Sequence, residues 1–239
     1  MNIQSFIQNY REAFGTYASL PISFYYSDTP LAETEKINGC FFKGLHSVRE
    51  GNPISLNAEV IGCGGGKFYT GFSELPEHVP GFVSTKERYK QTPELAAEAL
   101  AQLPVLPIKG ENLIFKRWDK LEAEDTPEAV IFFASADVLS GLFTLACFDN
   151  ADPDAVIAPF GAGCASIIYH PYREQLDGTN RAVLGSFDPS ARKCMKSDLL
   201  SFAIPFNKFK KMVLQMEESF LKTATWETIK KRMDKSNQS

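Results

Sequence analysis

Apolar residues at Ile3, Phe6, Ile7, Tyr10 and Phe14 recur at helical spacing and stop at Gly15, which predicts an amphipathic opening helix docked on the body of the protein. Pro21 to Tyr26 (PISFYY) is rich in aromatic and β-branched residues and runs into Ser27-Asp28-Thr29-Pro30, a strand followed by a turn. A second strand is expected over Ser55 to Ile61, leading into a glycine cluster, and Glu74 to Thr92 reads as loop. Thr92-Pro93-Glu94 supplies an N-cap, a proline at the first helical position and an acid in the first turn, so a helix should run to about Leu103, stopped by Pro104 and Pro107. Asn112 to Trp118 follows as a strand and the acidic Leu121 to Glu128 as an exposed connection.

Val130 to Ala134 has the unbroken apolar character of a buried strand, and Leu139, Leu142, Phe143 and Ala146 mark one helical face directly after it. Ala129 to Phe148 is the most membrane-like run and about long enough to span a bilayer. Asp137 near its centre would cost roughly 2.5 to 3.5 kcal/mol there, so a buried strand and helix is the better account. Arg181 to Phe187 and Leu199 to Ile204 are further strands. Phe209 to Phe220 forms a long helix, Trp226, Ile229 and Met233 a short one, and Asp234 to Ser239 a frayed tail. The pattern as a whole is α+β: mixed β-sheets with helices packed on their outer faces, in a single domain over residues 1–239. A parallel α/β arrangement is the alternative. ISFYYSD (22–28) and IFFASAD (131–137) resemble each other, which admits two related halves, about 16–110 and 111–222.

Charge narrows the partners. With 25 basic and 29 acidic residues and a net charge of −4, the chain lacks the basic footprint of a nucleic-acid binder. Its first residues form neither a basic nor an apolar leader, so a cytoplasmic location, no membrane and no nucleic acid are expected, with a homodimer left open. Five cysteines without close pairs fit a reducing compartment rather than a disulfide framework.

The chemistry worth pursuing lies in two glycine turns, VIGCGGGKFYTG (60–71) and VIAPFGAGCASIIY (156–169), each carrying a thiol. A strand entering such a turn and opening a helix leaves backbone N–H groups that an anion can approach. Neither turn completes a dinucleotide or phosphate-loop motif: Ser166 stands where the last glycine of the first belongs, and Phe68 where the second needs a hydroxyl. The candidate contacts to a small anionic ligand are Gly64, Gly65, Lys67 and Tyr69 from one turn, and Gly161, Gly163 and Ser166 from the other. Ser190 and Arg192 of DPSAR (188–192) join them, with a capped helix start as the competing account of that segment. A helix dipole stabilises a thiolate by only about 0.3 to 1 kcal/mol, so Cys63 or Cys164 would need a cation or a metal as well. Tight packing is the rival explanation for both turns, and Cys147 and Cys194 read as packing. His46, His78 and His170 show no zinc-enzyme spacing, and His170 before Pro171 reads as the end of a helix.

INGCFFKG (37–44), GCGGGKFYTGF (62–72), VIFFASADVLSGLFTLA (130–146), PFGAGCASI (159–167), LGSFDPSAR (184–192) and ESFLKTATWETI (218–229) together resemble the uncharacterised domain-of-unknown-function family 169, over nearly the whole chain and in order. That resemblance implies a cytosolic protein without an established reaction. It also implies cysteines shared at the positions of Cys40, Cys63 and Cys164, hence a site for zinc or an iron–sulfur cluster with one open coordination position. Two functions stand side by side: a metal-bearing redox enzyme, and a non-catalytic module binding a nucleotide, flavin or acyl-CoA-like ligand. A scaffold for a partner protein is the third.

Overall fold

The computed structural model describes residues 2–16, 18–31 and 39–236. Its elements in chain order are α1 (Ile3–Phe14), β1 (Ile22–Ser27), α2 (Phe42–Glu50), β2 (Ile54–Leu56), α3 (Gly64–Tyr69), α4 (Val79–Gly81) and α5 (Pro93–Ala101). There follow β3 (Asn112–Arg117), β4 (Ala129–Ala134), α6 (Ala136–Cys147), β5 (Val156–Ile157), α7 (His170–Asp177), β6 (Ala182–Gly185), α8 (Pro189–Arg192), β7 (Leu200–Pro205), α9 (Phe206–Gln215) and α10 (Ala224–Ser236). The strands form one mixed seven-stranded sheet in the order β2-β3-β1-β4-β7-β6-β5, an α+β fold. β1–β4, β4–β7 and β6–β7 are antiparallel and β5–β6 is parallel. The halves considered from the sequence, about 16–110 and 111–222, would put β1 and β2 on one side and β3 to β7 on the other.

Two compact units divide the chain along a different line. One comprises Met1–Tyr25, Phe42–Ile54 and Ile114–Ser239, the other Tyr26–Phe41 and Ser55–Leu113. In the larger unit, β4 is buried on both faces because its side chains alternate between two helical layers. Val130 and Phe132 point into an aromatic core with α1, α6, α9 and α10, where Phe6, Trp118 and Phe209 meet edge to face with ring centres 5.0 to 5.1 Å apart. Phe133, one residue on, faces the other way and meets Phe42 of α2 at 6.4 Å. The smaller unit buries Phe41, Leu56, Ile61, Phe68, Leu100 and Leu106, and ties Tyr26 Oη to the carbonyl of Thr70 at 2.9 Å.

Local chemistry explains where the elements begin. Asn2 caps α1 by accepting from Ser5 N–H at 3.1 Å, and Gly15 closes it at φ +89°, a left-handed backbone suited to glycine. Thr92 caps α5 at 3.2 Å as its sequence predicts. The run 129–148 is a buried strand and a helix, and no helix among the described residues is long and apolar enough to cross a membrane.

Four expectations shift. The strand expected over 55–61 is only Ile54–Leu56. The 74–92 segment contains α4 and a π-turn, Phe82–Lys86. The long helix over 209–220 ends at Gln215, where Ser219 donates to the Met216 carbonyl and starts a 3₁₀ turn instead. The connection 121–128 is pinned rather than simply exposed: Asp125 is buried against Lys116, Nζ to Oδ2 2.9 Å.

Candidate functional site

The two glycine turns fall in different compact units, so each is taken alone. In the smaller unit, Cys63 is exposed and its Sγ accepts from Gly66 N–H at 3.4 Å, capping the six-residue α3. A Cβ at Gly64 would stand 3.1 Å from Pro76, and one at Gly66 3.1 Å from Ile61, so these glycines admit close neighbours. Gly65 faces more open space. Tyr69 is buried with its ring tilted edge-on to Phe68 at 5.2 Å, a packing role rather than a stacking platform. Lys67 is half-buried in the same helix.

In the larger unit the question posed by PFGAGC is answered by packing. A Cβ at Gly163 would lie 2.5 Å from the Cβ of Ala191 and 2.7 Å from the Phe42 ring, so only glycine lets this backbone meet both α8 and α2. Gly161 is less confined, 3.3 Å from Ala165 and 3.9 Å from Nε2 of His170. Ser166 is buried; its hydroxyl donates to the Gly163 carbonyl at 2.8 Å and accepts from Ser186 N–H at 3.1 Å. Ser186 in turn donates to Ser201 Oγ at 2.8 Å. Ser166 thus clamps a turn in which Ser186 adopts φ +63°, rather than facing a ligand.

The DPSAR segment is a helix start. The buried Asp188 accepts from Ala191 N–H at 3.1 Å and from the hydroxyl of Ser190, capping α8. Arg192, expected to hold an anion, is spent on backbone: its guanidinium donates to the carbonyls of Ser197 (2.6 Å), Lys196 (3.4 Å) and Leu199. Cys40 and Cys63 belong to the smaller unit and Cys164 to the larger, and among the described residues no group of three or more His, Cys, Asp or Glu side chains is arranged to hold a metal.

His170 was expected to end its helix, yet α7 continues through Pro171 to Asp177. A π-turn over Ala165–Tyr169 precedes it, with His170 N–H donating to Ala165 O five residues back, and this wider turn accommodates the proline ring. Burial holds the imidazole's pKa down to about 4 from 6.5, opposed in part by Glu174. The unfolded chain therefore takes up a proton below pH 6.5 that the folded chain resists until about pH 4. Stability present above 6.5 is lost across that window, by up to about 3 kcal/mol. Urea midpoints compared at pH 7 and pH 5 should fall more steeply for the wild type than for His170→Asn; parallel slopes would refute this assignment.

A cleft arises where the sequence drew no attention. About 560 Å³ lies over Phe133 in the larger unit, between α2 and the segment Lys193–Lys196. Nitrogen-bearing side chains gather there: the cations Lys43 and Arg49 with His46 from α2, and Lys193 and Lys196 from the other wall. His46 Nε2 lies 3.3 Å from Glu50, both exposed. Arg49 is half-buried, its guanidinium 5.3 Å from the centre of the Phe133 ring. Burial pulls its pKa down, with the charge of Asp198 opposing. Among the described residues, its guanidinium makes no hydrogen bond or ion pair. A smaller hollow of about 310 Å³ near Glu12 and Lys230 differs: its Lys222 is already paired with Glu12 (2.7 Å) and Glu217 (3.0 Å). The sequence signal for the cleft was the spacing of Lys43, His46 and Arg49, three apart on one helix, though nothing local says what that face meets.

Residues 18–215 match the model of one protein family, described as uncharacterised ArCR. No curated protein and no solved structure matches the chain.

Proposed function

The chain belongs to that family, the domain-of-unknown-function family 169 (DUF169), which carries no assigned reaction, and we propose that it binds a small organic anion in the cleft over Phe133. The observation that carries this reading is Arg49: a half-buried guanidinium, stacked on an aromatic ring, whose five N–H donors have no acceptor among the described residues. Donors not taken up by the protein are open to an incoming anion, and a carboxylate, sulfonate or phosphate can fork onto them in the plane of the guanidinium. Phe42 and Leu45 offer an apolar wall to the rest of the molecule, and Lys43, Lys193 and Lys196 raise the local concentration of anions. The volume falls within the range of about 300 to 1,000 Å³ usual for small-ligand sites. The small anionic ligand expected at the glycine turns is better served here, because Ser166 and Arg192 are engaged with backbone.

An aromatic sulfonate, 8-anilinonaphthalene-1-sulfonate, probes both halves of the proposed site. Fluorescence titration should show saturable binding that Arg49→Met weakens at least tenfold, about 1.4 kcal/mol, and that high salt also weakens. Equal affinity in wild type and Arg49→Met would defeat the proposal.

A further inference from the structure

We propose that Arg192 is the clasp that sets the second wall of this cleft, a positioning residue acting through the loop 193–199 rather than through contact with the ligand. The inference rests on reading the cleft as a ligand site. That wall is the segment joining α8 to β7, and it contributes Lys193, Cys194, Met195 and Lys196 to the cleft. Its own backbone bonds are short-range: Cys194 N–H to Ala191 O at 2.9 Å, Met195 N–H to Arg192 O at 3.1 Å, Leu199 N–H to Lys196 O at 3.2 Å. None of these ties the start of the loop to its end. The Arg192 guanidinium does, by donating to the carbonyls of Lys196, Ser197 and Leu199 from one planar group.

The clasp has a firm base. Neighbouring Ala191 is buried against Gly163, and its N–H is held by the buried carboxylate of Asp188. The guanidinium is therefore fixed at its root and spans to the far end of the loop. A lysine at 192 would keep the charge, but a single ammonium at the end of a flexible stem does not match three carbonyls distributed across four residues. Without the fork, the loop that carries the exposed Lys193 and Lys196 would no longer hold one form as the second wall of the cleft.

The decisive comparison is Arg192→Lys against Arg192→Gln, with Lys211→Gln, on an exposed position of α9 outside the cleft, as a control that removes one charge and leaves the clasp. Two readouts are taken: affinity for 8-anilinonaphthalene-1-sulfonate, and the rate at which iodoacetamide alkylates Cys194, followed by peptide mass spectrometry. The clasp predicts that both Arg192 variants bind the probe at least fivefold more weakly and alkylate Cys194 several-fold faster, while Lys211→Gln changes affinity by less than about twofold. If Arg192→Lys matches the wild type in both readouts, Arg192 contributes charge alone and the inference is overturned. Should the wild type fail to bind the probe, the ligand site falls, and the Cys194 rate alone decides whether Arg192 holds the loop.

Discussion

Gly185→Ala is expected to destabilise the protein by about 4 kcal/mol. Gly185 closes β6 where the π-turn crosses it, and a Cβ added there would stand 2.1 Å from the Cβ of Ser166 and 2.5 Å from its hydroxyl. Both atoms are rooted next to backbone, so the helix must lift from the sheet rather than a side chain turn aside. Overpacking of this kind costs about 1–3 kcal/mol and occasionally more. Lifting the helix also strips the Ser186 N–H of its bond to Ser166, and an unsatisfied buried donor costs about 1–3 kcal/mol in addition. For a chain of this size the melting temperature should fall by roughly 10 °C. A double-mutant cycle identifies the cause: Ser166→Gly alone loses the hydrogen bond, and adding Gly185→Ala to it should cost little further. If Gly185→Ala costs the same with and without the Ser166 side chain, the overlap is not responsible.

The second large effect lies beyond the family-matched span, which stops at residue 215. Trp226 of α10 is buried against Phe14 (ring centres 5.5 Å apart) and Phe220 (5.2 Å), and its indole N–H donates to the Ala13 carbonyl at 2.7 Å. Beneath it, Gly141 of α6 has no room for a side chain: a Cβ there would meet Trp226 at 2.4 Å and Phe14 at 2.6 Å. The first and last helices thus close over one glycine. Trp226→Ala should cost about 3–5 kcal/mol, the range for a buried large aromatic. Trp226→Phe, which keeps most of the apolar area and loses the hydrogen bond, should cost about 1–2 kcal/mol. Denaturant midpoints with an unchanged slope would check both values. A Trp226→Ala loss under 1 kcal/mol would mean that α10 contributes little to the core.

Cap residues made parts of this fold legible in advance. Thr92-Pro93-Glu94 specified α5 and Asp188-Pro189 specified α8, because a cap acts within three residues of chain. The apolar run at 130–134 identified a strand buried on both sides for a similar reason, since its own side chains declare both faces apolar. Pro171 misled because a local rule, proline as helix breaker, was overridden by a π-turn. The glycine turns left two accounts open for a different reason: backbone freedom and close packing call for the same residue, and only the neighbours distinguish them. At Gly163 those neighbours are Phe42 and Ala191, far away along the chain.

The sequence by itself determined the class of fold, the starts of several helices and the resemblance to one family, because each depends on residue types read in order and on forces reaching a few positions along the backbone. Tertiary structure alone decided that a helix absent from the periodicity reading carries the cationic face, that Phe133 lies beneath Arg49, and that Arg192 turns inward to its own loop. Burial and hydrogen-bond partnership belong to pairs of groups brought together by folding, and the charge of an arginine does not reveal in advance whether backbone or an open cleft will receive it.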